Sequence, residues 1–158
     1  MWIFDVLKLI ITGTLGTLGF AILFGIKAKH VPFATLGGLL ATFVFVAVDS
    51  FETNLFISNF LATLVCVIYA NVFARILKTP SIVFITASII PLVPGGSLFY
   101  MMSNLIMGNS AMAKSYGLNT LQIALGIAGG IVIESLVVSI MKKISGYKVN
   151  KKISDADR

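Results

Sequence analysis

Residues 79–97 read Thr-Pro-Ser-Ile-Val-Phe-Ile-Thr-Ala-Ser-Ile-Ile-Pro-Leu-Val-Pro-Gly-Gly-Ser. They open an apolar run, Ile82–Met107, that is long enough to cross a bilayer and carries Pro91, Pro94, Gly95 and Gly96 near its middle. Neither proline has an N–H. In one straight helix the carbonyls of Ala87 and Ile90 would lose their partners, and each proline would cost about 3 kcal/mol. Hydrocarbon holds no water to make up the loss, so a broken backbone at that depth survives only inside protein or beside a wet cavity. The run therefore points to a polar path through a membrane and not to a simple anchor.

The rest of the chain agrees with a membrane setting. It has 158 residues, 58% apolar and 11% charged, with a mean hydropathy of +1.01. A spanning helix needs roughly 20 apolar residues, which leaves room for about five crossings and no separate soluble domain. Five apolar runs stand out: Ile3–Ile26, Val31–Val48, Leu55–Leu77, Ile82–Met107 and Leu118–Met141. Charged or turn-forming residues divide them, among them Asp49 to Asn54 and the stretch Gly108 to Gly117. The start, Met-Trp-Ile-Phe-Asp, lacks a basic region and a clear cleavage site, so it reads as a first span and not as a signal peptide. The expected fold is an all-α integral membrane protein of five transmembrane helices, the fourth discontinuous. Residues 1–147 form one membrane domain, and 148–158 form a short, loose, polar tail.

Lys and Arg orient the spans. With the N-terminus outside, the cytoplasmic side receives ten of them: Lys27, Lys29, Arg75, Lys78, Lys142, Lys143, Lys148, Lys151, Lys152 and Arg158. The outside keeps two, Lys8 and Lys114, together with the acids Asp49 and Glu52. A re-entrant hairpin at 82–107 would send the six-charge tail outside and erase that bias. The broken run is therefore expected to be a single crossing, with the break near the bilayer centre and the C-terminus cytoplasmic. The basic tail then lies against anionic lipids of the inner leaflet, which accounts for the net charge of +6 without nucleic acid. Trp2 and Tyr116 fall near the outer interface and Tyr147 near the inner one, as aromatic belts do.

Small residues at four-residue spacing mark helix-packing ridges. They are Gly13, Thr17, Ala21 and Gly25 in the first span, and Ala34, Gly38 and Thr42 in the second. In the third they are Ser58, Ala62, Cys66, Ala70 and Ala74. Cys66 is the single cysteine and reads as a packing residue. A second ridge of the third span is polar: Asn59, Thr63, Val67, Asn71 and Arg75. The fifth span aligns Gln122, Gly126, Gly130 and Glu134. Glu134 lies about two turns from Lys142 and is the only acid well inside the hydrocarbon. An intramembrane ionisable group is a candidate for a proton or polar path, with Gln122, Asn71 and Asn59 as companions; a structural hydrogen bond between helices is the plainer reading. Asp5 and Lys8 are expected to pair one turn apart. His30 is a lone loop histidine beside two lysines, Lys27 and Lys29, and is expected to face headgroups.

Past the break, a resumed helix would offer the N–H groups of Gly95, Gly96 and Ser97 at its positive end, an arrangement that suits a carboxylate. Tyr100 and Asn104 fall on or near the same face. Discontinuous helices of transporters use both broken ends for solute and ion, so Pro91, Pro94, Gly95, Gly96, Ser97, Tyr100 and Asn104 are the candidate substrate-binding residues. There is no nucleophile–base pair, no metal-ligand cluster and no cofactor motif, so an enzyme is not expected.

This segment resembles the threonine/serine exporter family, in its small YjjB-type membrane subunit. The resemblance rests on Thr79-Pro80, on the Ile89-Ile90-Pro91-Leu92-Val93-Pro94-Gly95 core and on the stretch from Tyr100 to Ile106. Length and five-span layout also agree. Gly96 and the tail beyond Lys148 match no family position. The resemblance implies a subunit of an inner-membrane bacterial exporter, dependent on the proton gradient, for small carboxylated metabolites: threonine and serine, or a dicarboxylate such as succinate. It also implies a second, larger membrane subunit, and a five-span partner would have to be inverted relative to this chain. Homo-oligomerisation stays open. The competing reading is a membrane scaffold or assembly subunit that moves nothing, with the break serving only packing.

Overall fold

The computed structural model describes residues 2–51 and 54–156, with side chains over 4–51 and 54–140 and at Lys143. Trp2, Glu52, Tyr147 and the basic side chains of the tail other than Lys143, each assigned a side of the membrane above, lie outside the described side chains. Among the described residues the α-helices are six: α1 (Trp2–Leu23), α2 (Val31–Asp49), α3 (Leu55–Ile76), α4 (Ser81–Ile89), α5 (Gly95–Ile106) and α6 (Ser110–Ala156). A 3-10 turn, Ile90–Leu92, follows α4. No strand occurs among the described residues.

Four of these helices, α1, α2, α3 and α6, are long and apolar enough to cross a membrane. The segments Ser81–Leu92 and Gly95–Ile106 qualify only together, as a pair bent by 49°. The helix is interrupted where Pro91, Pro94, Gly95 and Gly96 were expected to interrupt it.

Local chemistry sets the helix ends. The side chain of Asn54 caps α3 by accepting the Phe56 N–H at 3.0 Å. At the end of α1, the Ile26 N–H donates to the Ala21 carbonyl (3.1 Å) and the Gly25 N–H to Ile22 (3.0 Å), with Gly25 at φ +67°. This double bond closes a helix around a left-handed residue. Gly25 thus stops α1 and does not extend its ridge. Gly108 closes α5 in the same way, with φ +74° and the Asn109 N–H on Asn104 at 2.8 Å. The helix then restarts at Ser110, so the stretch up to Gly117, expected as a loop, is instead the beginning of α6. Tyr116 there stacks on Tyr100 with ring centroids 5.4 Å apart. The backbone of α6 stays helical through Ala156, with no break at residue 148.

The small-residue ridges are the seams of the bundle. Thr17 and Ala21, then Ala34, Gly38 and Thr42, then Ser58, Ala62, Cys66, Ala70 and Ala74 are all buried. Thr17 packs directly on Gly38. Two cross-helix hydrogen bonds strengthen the centre. Ser88 Oγ donates to the Ala34 carbonyl at 3.1 Å, and Tyr69 Oη donates to the Phe33 carbonyl at 3.0 Å.

The seam between α3 and α6 brings the two backbones close together. A Cβ added at Gly126 would lie 2.7 Å from the Phe56 carbonyl oxygen, and one at Gly130 would lie 2.9 Å from Thr63 Cβ. Further along, Glu134 meets Asn71. Successive residues of α6 therefore meet successive residues of α3, and the two helices run parallel. Two parallel helices need a connection that returns to the starting end, and the bent pair α4–α5 makes that return.

This seam predicts an asymmetry among glycines. Gly126→Ala drives a methyl into a backbone carbonyl that cannot rotate away, and should cost about 1–3 kcal/mol as overpacking does. Gly19→Ala meets nothing within 4 Å and should leave stability unchanged or raise it by up to about 1 kcal/mol. Unfolding of the two variants in mixed micelles, compared with wild type, checks both.

Candidate functional site

At the break, Pro91 and Pro94 remove two ladder bonds and the chain repairs only part of the loss. The Ile90 carbonyl is not orphaned as expected, because it accepts the Val93 N–H at 3.1 Å. Val93 is extended (φ −62°, ψ 131°), and α5 begins with the Leu98 N–H on the Pro94 carbonyl at 3.0 Å. The Gly95 N–H is not free either, since it bonds the Val93 carbonyl at 2.8 Å. The free donors are the amides of Gly96 and Ser97, which bond no carbonyl among the described residues.

Those two amides sit on an uncovered face. No residue of α5 is buried, and a Cβ at Gly95 or Gly96 would meet nothing within 4 Å. Asn104 turns its Nδ2 back to the Tyr100 carbonyl at 2.8 Å, and Tyr100 stacks on α6. Pro91 faces the other way, into a 130 Å³ cavity shared with Thr12 and Gly13 of α1 and Thr42 of α2. The expected site residues thus divide between two faces of the break.

The polar ridge of α3 behaves differently. Glu134 is only 5% exposed, and its Oε1 accepts the Asn71 Nδ2 at 2.8 Å. Asn59 is buried farther up the same seam and donates to its own helix, to the Leu55 carbonyl at 2.7 Å. Thr63, between them, has a buried hydroxyl with no partner. Gln122 is exposed and does not join this group.

Beside Glu134 lies a cleft between α3, α4 and α6. One lobe, of about 240 Å³, is lined by Asn71, Glu134, Ser81, Ser135 and Ser139. An adjoining lobe, also about 240 Å³, shares Asn71 and Ser81 and adds Arg75, Lys78 and Thr79. Lys78 holds a left-handed conformation, φ 49°, where glycine would be easier by about 1–2 kcal/mol. No ion pair links either cation to Glu134 among the described residues, so the cleft presents an acid and two bases separately. Ser135 and Ser139 were not singled out from the sequence, although their four-residue spacing beside Glu134 was a signal that could have found them. Ser81 and Thr79 carried no such signal.

Two expectations about charged groups are corrected. His30 does not face headgroups: it is 5% exposed, edge-on to Phe84, with Nε2 3.3 Å from Thr79 Oγ1. Its position at the start of α2 turns the ring inward, between that helix and the α3–α4 connection. Asp5 and Lys8 form no ion pair among the described residues; Asp5 instead lines a 290 Å³ pocket with Asp49. No cluster of metal-ligating side chains occurs among the described residues.

The Asn71–Glu134 bond makes a measurable contribution. Hydrogen bonds between membrane helices average about 0.6 kcal/mol and reach about 1.7. Asn71→Leu should therefore lower stability toward the upper end of that range, because it strips a buried acid of its donor. Glu134→Gln keeps an oxygen for Asn71 and should change stability little. Thermal unfolding in detergent compares the two.

A family model described as "Threonine/Serine exporter, ThrE" matches residues 9–137, which includes the break, the polar ridge and Glu134. No curated protein and no solved structure matches the chain. That family is one of membrane transporters and not of enzymes. Its match covers most of a chain whose apolar helices make it a multi-pass membrane protein, and the chain belongs to the threonine/serine exporter family.

Proposed function

We propose that this chain is one subunit of a bacterial inner-membrane exporter that moves small carboxylated metabolites outward at the expense of the proton gradient, together with a second, larger membrane subunit. The observation that carries this reading is the start of α5. Two amide donors, at Gly96 and Ser97, stand on a face that nothing in this chain covers. An unsatisfied backbone group costs several kcal/mol in hydrocarbon, so lipid tails are not a stable neighbour. A partner subunit that closes a wet path over this face is, and a carboxylate crossing that path would meet both donors and the positive helix end.

The parallel run of α3 and α6 supports five crossings, since it needs α4 and α5 to cross once between them. The Lys and Arg count then supports an outside N-terminus and a cytoplasmic C-terminus. Glu134 is the proton-carrying group in this reading, because it is the only acid buried in the bundle among the described residues.

Gly96→Leu separates site from fold. The added side chain finds open space in this chain, so the variant should reach the membrane at wild-type level. In vesicles containing both subunits it should lose export of threonine, serine or succinate at least tenfold. Wild-type efflux from that variant would remove the break from the path. The topology has its own check: reporter fusions should place the C-termini of this chain and its partner on opposite faces, and a shared face would refute the inverted pairing.

A further inference from the structure

We propose that the lobe of the cleft lined by Arg75 and Lys78 is a binding site for the phosphate of an anionic phospholipid, drawn from the leaflet at the basic end of the bundle. This goes beyond the exporter reading and does not depend on what the exporter moves.

Cations gather at one end of the bundle. α3 ends at Ile76, and the parallel α6 carries Lys143 toward the same end. His30 Nε2 lies 3.3 Å from Thr79 Oγ1. That contact sets the α1–α2 connection, with Lys27 and Lys29, beside the α3–α4 connection, with Lys78. At the opposite end Asp5 and Asp49 share a pocket. A basic end of this kind lies at the anionic leaflet, and basic pockets between spans on that side take lipid headgroups.

Arg75 and Lys78 stand apart from the other cations because both line one lobe of about 240 Å³, which Ser81 also lines. Both are exposed. Neither pairs with Glu134 among the described residues, and Glu134 lines the other lobe. A guanidinium forks onto two phosphate oxygens, and an ammonium adds a compact charge beside it. The Ser81 hydroxyl can donate as well. Lys78 is the telling residue. It holds the left-handed position that closes α3, φ 49°, with the Thr79 N–H on the Ala74 carbonyl at 2.9 Å. Glycine takes that position without strain, as Gly25 and Gly108 do after α1 and α5. Lysine there gives up local stability and sets an ammonium on the cleft.

The surroundings favour a lipid over a soluble anion. α4 packs on α2 and α3, and α6 packs on α3 and α5, so no close seam between α4 and α6 shuts the cleft. Ile76, Ile82 and Ile140 follow Arg75, Ser81 and Ser139 in the chain, and each is more than half exposed. A cationic lobe with an apolar border fits a molecule that carries phosphate at one end and acyl chains at the other. A soluble phosphate would use the lobe alone.

The purified full chain in neutral maltoside micelles tests this. A ligand of the folded state raises the unfolding midpoint with its concentration, so a titration reads apparent affinity. Phosphatidylglycerol should raise the midpoint saturably, with phosphatidylcholine and inorganic phosphate each at least tenfold weaker. Lys78→Gly should keep or raise the midpoint without lipid, yet weaken the response to phosphatidylglycerol at least tenfold. Arg75→Gln should weaken it as much. Lys27→Gln combined with Lys29→Gln, at the same end but outside the lobe, should weaken it less than threefold. Equal protection by phosphatidylcholine or by inorganic phosphate would overturn the lipid assignment. An equal loss in the Lys27 and Lys29 double variant would overturn the site in favour of a diffuse basic surface. So would a full response in a chain carrying both Lys78→Gly and Arg75→Gln. Loss of the response once the second subunit is bound would give the lobe to that protein instead.

Discussion

The parallel seam of α3 and α6 is the contact on which the rest of the architecture turns. Its closeness comes from Gly126 and Gly130, which let the backbone of α6 approach the Phe56 and Phe60 carbonyls. Between membrane helices the driving force is van der Waals contact and hydrogen bonding, with no hydrophobic effect to add. A side chain at either glycine would separate the helices along their length. Because the seam is parallel, the chain between α3 and α6 must travel back to the end where α3 began. α4 and α5 are each too short to do so alone, at nine and twelve residues, so they do it as a bent pair. The bent pair therefore follows from the same seam that brings Glu134 to Asn71.

What was legible in the sequence was whatever depends on spacing along one helix. The ridges at Ala34-Gly38-Thr42 and Ser58 to Ala74 repeat every four residues, and a helix has one way to use such a repeat in a membrane. The proline and glycine cluster announced the break for the same local reason. Misreadings came where the outcome depends on a neighbour. Gly25 sits in register with Gly13 and Ala21, but the chain needed a left-handed stop there. The residues from Ser110 to Tyr116 look like a loop in isolation; packed against α5 through Tyr100, they are helical. His30 reads as a headgroup residue until Thr79 of the α3–α4 connection and Phe84 of α4 receive it.

The candidate site shows the same division at finer grain. That backbone donors would be free near Gly95 followed from proline chemistry. Which donors are free did not, because Val93 folds back to occupy the Gly95 N–H and leaves Gly96 and Ser97. That Glu134 would be buried followed from its depth in an apolar run; Gln122, Asn71 and Asn59 were its expected companions, and of these Asn71 bonds it. The cleft itself was not legible, since it is assembled from three helices and from hydroxyls at Ser81 and Thr79 that carry no pattern. Gln122 shares a ridge with Glu134 yet stays exposed, so the seam with α3 does not cover the whole stripe.

The break and the cleft differ in chemistry and in support. The start of α5 offers backbone donors and a positive helix end. The cleft offers an acid as well as bases. No residue of α5 is buried, so little in the described chain holds the first arrangement in place. Glu134 is buried and bonded to Asn71, so the second is fixed by the packing of α6 on α3.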